Sequence, residues 1–123
     1  MEARGHMSIR HYVVPISTTA GAATVYSEPV DGELLAIRAI LGTLASGAVD
    51  IVITDDASGM ALLTISNLAA DTDYHPRAAA VTVTNGAITN SFVKIPVSGK
   101  IKSVVAQAVG TQTGTLHYWV EQE

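Results

Sequence analysis

Apolar residues in this chain recur in short, β-branched runs separated by turn residues. Val49 to Thr54 reads VDIVIT, Val81 to Thr84 reads VTVT, and Leu116 to Val120 reads LHYWV. Between such runs lie Ser46-Gly47, Ser58-Gly59, Asn85-Gly86, Ser98-Gly99 and the segment Gly110 to Gly114. Strand-length apolar runs punctuated by turn dipeptides are the pattern of an all-β sandwich or barrel.

Ile9 to Ile16 contains Pro15, which cannot donate to a ladder, so it reads as an edge strand or an extended arm. Ser17 to Ala22 reads as a small, flexible linker. Ala23 to Ser27 is a short strand closed by Glu28-Pro29. Glu33 to Leu41 has good helix formers, but Gly42 stops it after a length at which an isolated helix is marginal. Its period-two set of Leu35, Ile37, Ala39 and Leu41 predicts a buried strand instead, with Glu33 at the strand mouth. Val49, Ile51 and Ile53 face one way, and Met60 to Ser66 follows closely enough to predict an antiparallel hairpin. Asn67 to Pro76 is the longest irregular stretch. Ala78 to Thr84 and Ala87 to Ile95 flank the tight turn Asn85-Gly86. Pro96 ends the second strand or places it at an edge. Lys100 to Val109 and Gly114 to Glu121 are expected to close as a last hairpin. The sum is a single domain of eight or nine strands, an antiparallel β-sandwich of jelly-roll-like form. Residues 1–6, before Met7, read as a cloning remnant. Residues 7–22 form the edge strand or arm, and 23–123 the sandwich.

At 123 residues the chain is long enough for a core without disulfides, and it has no cysteine to form one. Apolar residues make up 48% but charged residues only 15%, sparse for the surface of a soluble monomer, where about a quarter is usual. That favours an exterior covered in part by other subunits. The net charge is −4, and the one basic grouping, Lys94, Lys100 and Lys102, flanks a turn. Nucleic-acid binding needs a denser track, so no such partner is expected. No apolar stretch approaches a membrane span. There is no basic start followed by an apolar run, so no secretory signal peptide is expected.

The polar residues do not assemble into a catalytic set. Asp55-Asp56, Asp71 and Asp73 lie in turns, where aspartates bond local backbone amides. The segment Asp55 to Gly59 lacks the downstream acid of a calcium loop. His11, His75 and His117 have no metal-ligand spacing. One histidine per subunit at a threefold axis is the arrangement that would give a metal or pH-sensitive cluster. No GxSxG elbow or phosphate-binding glycine loop is present. No catalytic residue, metal or cofactor is therefore expected. Exposed aromatics at Tyr12, Tyr74, Tyr118 or Trp119 would serve a carbohydrate-binding module. Neighbouring strand residues face opposite ways, so one of Tyr118 and Trp119 belongs to the core. Trp119 reads first as a core or interface anchor.

Four stretches together carry a family likeness: Pro29 to Ile40 (PVDGELLAIRAI), Asp73 to Arg77 (DYHPR), Lys94 to Lys102 (KIPVSGKIK) and Gly114 to Glu121 (GTLHYWVE). The ensemble resembles small virion proteins of tailed bacteriophages and prophages encoded among head-assembly genes. The resemblance implies a β-sandwich that decorates or cements a capsid, often as a homotrimer. Its partners would be itself and the major capsid protein. It would be made in the host cytoplasm and located on the capsid surface. On that reading Ile9, Tyr12, Val14 and Pro15 form an arm against the shell, and Tyr74, Arg77 and Trp119 are interface or anchor residues. Arg77 is placed to pair with Asp71 or Asp73. The rival readings are another phage component (tail, connector or fibre) and a carbohydrate-binding module.

Overall fold

Residues 8–44, 49–81, 84 and 86–122 are described in the computed structural model. Residues 1–6, the expected turn at Ser46-Gly47, and residues 82, 83 and 85 of the expected strand end and turn lie outside them. The elements are β1 (Ser8–Ser17), β2 (Ala23–Tyr26), β3 (Val30–Ile40), β4 (Val49–Asp55), β5 (Ala61–Leu68) and β6 (Thr72–Tyr74), followed by β7 (Ala78–Val81), β8 (Ala87–Val93), β9 (Ile95–Gly99), β10 (Ile101–Ala106) and β11 (Thr113–Gln122). All-β architecture is as expected. Among the described residues the strands number eleven rather than eight or nine, because β6 lies inside the stretch read as irregular and β9 is separate from β8.

One sheet runs β1-β11-β3, with β9 and β6 sharing the far side of β3. A second runs β2-β10-β4-β5, and β7-β8 is a two-stranded ribbon by itself. Every pairing is antiparallel. The core lies between the two larger sheets. Val14, Ile16, Leu34, Ile37, Ala39, Leu116, Tyr118 and Val120 face Val49, Ile51, Ile53, Leu62, Ile65, Ile101 and Val105, all buried. Strict alternation builds this layer in β4 and β10, where every second side chain turns inward.

Three local expectations are corrected. β10 and β11 are not a hairpin: β10 pairs with β2 and β4, whereas β11 pairs with β1 and β3, so the chain crosses between sheets at Gly110. In β3 the core position is taken by Leu34 instead of Leu35. Trp119 pairs with Ala36 but Val120 pairs with Leu34, which leaves Leu35 as the extra residue of a β-bulge. Ile37, Ala39 and Leu41 do face the core. Pro96 does not end a strand; of its two expected placements the edge is the one found. It sits within β9 opposite Glu33, and β9 pairs only with β3 among the described strands, so no ladder needs its missing N–H on the other side.

The third correction concerns the presumed linker after β1, which is a bonded tight turn. Thr18 is fully buried; its hydroxyl donates to the Gly110 carbonyl at 2.8 Å and accepts from the Gln112 amide at 2.8 Å. Gly21 has φ of +81°, and a Cβ there would meet the Ala108 carbonyl oxygen, so only glycine lets the two loops close on each other.

Candidate functional site

The outer face of the β1-β11-β3-β6 sheet carries a polar and aromatic constellation. Two cross-strand rows compose it. In one, His11 lies opposite Trp119, which lies opposite Ala36. In the other, Val13, His117, Arg38 and Asp73 follow one another across the four strands. The bulge at Leu35 sets this geometry: it brings Leu34 to the core while keeping Ala36 and Arg38 on the outer face. Arg77 supports the same place, donating from Nη1 to the Leu35 carbonyl at 3.0 Å and to its neighbour Pro76 at 2.7 Å. The expected pairing of Arg77 with Asp71 or Asp73 is replaced. Arg38 holds Asp73 at 2.7 Å, and Asp71 accepts from the Leu41 amide at 2.9 Å.

His11 and His117, distant in sequence, meet in space. Nε2 of His11 lies 2.7 Å from Nδ1 of His117. Their rings stack, and His11 stacks on the Trp119 indole with parallel planes and centroids 4.6 Å apart. Partial burial, the neighbouring His11 and the Arg38 guanidinium all lower the His117 pKa, since each disfavours the imidazolium. No group of three or more metal-ligating side chains occurs among the described residues.

Beyond Trp119 the surface opens into a depression of about 400 Å³, bordered by Ala36, Arg38, Asp73, His75 and Trp119. Ala36 is the reason for the hollow, a methyl group opposite an indole. Asp73 and His75 thus share one concavity. Its carboxylate is exposed and ion-paired, however, without the burial or like-charged neighbour on which acid–base carboxylates rely. Asp55, by contrast, is buried and structural, accepting from the amides of Ala57 at 3.1 Å and Ser98 at 3.3 Å. Lys94 is engaged by Glu121 at 2.5 Å.

The residues singled out in the sequence disperse. Val14 is buried in the core and offers no outer surface. Ile9 and Pro15 are exposed on the edge strand β1, and Tyr12 and Tyr74 are half-buried against the core. Tyr118, not Trp119, is the core aromatic. Trp119 faces outward. The sequence reading passed over Phe92 and Val93 on the β7-β8 ribbon, which are 65% and 49% exposed. The one available signal was that the chain's single phenylalanine follows an Asn-Gly turn by only a few residues.

No family model matches the chain, and no curated protein matches it. Among solved structures, a chain of the cyanophage Pam1 capsid asymmetric unit superposes with a TM-score of 0.51 and 17% identity, covering 98% of this chain and 90% of that one. This chain shares that fold. A chain of the Bacillus endospore appendages, disulfide-linked pili, gives a TM-score of 0.48 at 16% identity, covering 94% and 86%. A chain of infectious bursal disease virus gives 0.32 at 18% identity and covers 91% of this chain but 32% of that one.

Proposed function

We propose that this chain is a non-enzymatic structural protein of a tailed-phage virion, a decoration or cement protein that binds the head surface as a homo-oligomer, most simply a trimer. The observation that carries the reading is the β7-β8 ribbon. Among the described residues it pairs with no other strand, yet it exposes Phe92 and Val93. A two-stranded ribbon is marginal in water by itself, and exposed apolar side chains on it mark a contact surface. The outer face of the second sheet supports the same reading. Thr24, Val104, Val52 and Thr64 line up across its four strands, all exposed, an uncharged β-branched row suited to packing against another subunit. The fold shared with a chain of a phage capsid unit supports the setting. In this reading Ile9, Tyr12 and Pro15 of β1 provide an edge contact to the major capsid protein.

Light scattering of the purified protein tests the oligomer, and co-sedimentation with intact heads tests the partner. A trimer that pellets with heads is expected. A clean monomer at micromolar concentration that stays in the supernatant would overturn the proposal.

A further inference from the structure

We infer that the depression beside Trp119 is a binding site for a neutral sugar ring. The chemistry of its walls selects the ligand. His11 covers one face of the indole in parallel contact. Ala36 lies directly opposite Trp119 on the other side, so the second indole face looks over a methyl floor into the hollow. That is a flat apolar wall for the C–H face of a pyranose. Arg38 and Asp73 stand on the rim with side chains 40% and 55% exposed, a fork of donors beside a carboxylate acceptor, the pairing that vicinal hydroxyls satisfy. His75 adds a further polar edge.

Other ligand classes fit these walls less well. An apolar side chain would desolvate the Arg38–Asp73 pair without replacing its hydrogen bonds. A phosphate or carboxylate would meet Asp73, which already neutralises Arg38. A nucleic acid would need basic residues along a track, whereas Arg38 is the one Lys or Arg among the described residues bordering the hollow. A neutral sugar ring presents an apolar face and a hydrogen-bonding edge together. The site does not depend on whether the protein decorates a head.

Trp119 is the sole tryptophan, so its fluorescence reports on this hollow alone. The intact protein is titrated with the methyl glycosides of glucose, galactose, mannose and N-acetylglucosamine, with sialic acid as the charged comparison. A saturable change in Trp119 emission with at least one neutral glycoside is expected, with a dissociation constant on the order of 1 mM, the scale for so small a ligand. Asp73→Ala and Arg38→Met, both on the exposed rim, should each weaken it about tenfold or more while leaving the circular dichroism unchanged. The inference is overturned if no neutral glycoside gives a saturable change, if sialic acid alone does, or if both rim variants bind as tightly as the parent.

Discussion

The hydroxyl of Tyr118 shares a 2.6 Å hydrogen bond with that of Ser103 in the middle of the core. Tyr118 belongs to β11 in one sheet and Ser103 to β10 in the other, and both side chains are fully buried. A polar link thus bridges the two layers inside a largely aliphatic core. Tyr118→Phe removes one hydroxyl and strands the other. The expected loss is about 1–2 kcal/mol in urea unfolding. Adding Ser103→Ala should recover part of it, since the stranded group is then gone. Strict additivity of the two losses would show that the hydroxyls do not interact.

Burial pushes the Tyr118 phenol up to about 12 from 10.0, against a smaller downward pull from the Ser103 hydrogen bond. The unfolded chain therefore releases this proton at lower pH than the folded one. The contribution is fully present below pH 10 and is lost as pH rises through about 12. The unfolding free energy should fall over that range by an amount on the order of 2–3 kcal/mol. In Tyr118→Phe this portion of the fall should be absent. Unchanged alkaline sensitivity in the variant would refute the assignment.

His117 titrates in the opposite sense. Its folded pKa lies below the unfolded 6.5, so the unfolded chain takes the proton first as pH drops. Stability is complete above pH 6.5 and declines as pH falls through the folded value. The His11–His117 hydrogen bond also needs an unprotonated nitrogen on one ring, so it cannot survive double protonation. Nuclear magnetic resonance titration should place the His117 midpoint below 6.5, and His11→Gln, which removes one of the causes, should raise it. A midpoint that His11→Gln leaves in place would contradict the contact.

Phe92 touches solvent on a ribbon outside the two larger sheets. Phe92→Ser should change unfolding stability by no more than about 0.5 kcal/mol. It should weaken self-association, read as a shift of the scattering mass toward monomer at low concentration. A variant that assembles like the parent would remove the ribbon from the interface.

Much of the fold could be read from the pattern of side chains. Val49, Ile51 and Ile53 alternate with Asp50, Val52 and Thr54, and the structure buries the first set. The β4-β5 hairpin followed from the short polar turn at Asp55 to Gly59. The candidate site was legible only in fragments. Alternation puts His117 and Trp119 on one face of β11, but it cannot say that β1 lies alongside with His11 in register. Leu35 was misplaced for a related reason: a bulge adds one residue on one strand alone, and nothing in that strand's own composition reveals its partner's count.

Local side-chain chemistry therefore determined that the chain is a β protein, where most strands begin, and which faces are apolar. These are effects of period-two alternation and turn residues, each acting over a few positions. Tertiary structure alone decided that β10 and β11 part into different sheets, that β3 carries a bulge held by Arg77, and that His11, Trp119, Arg38 and Asp73 share one surface. Strand pairing is fixed by the fit of two apolar layers across the whole molecule, and that fit depends on residues a hundred positions apart.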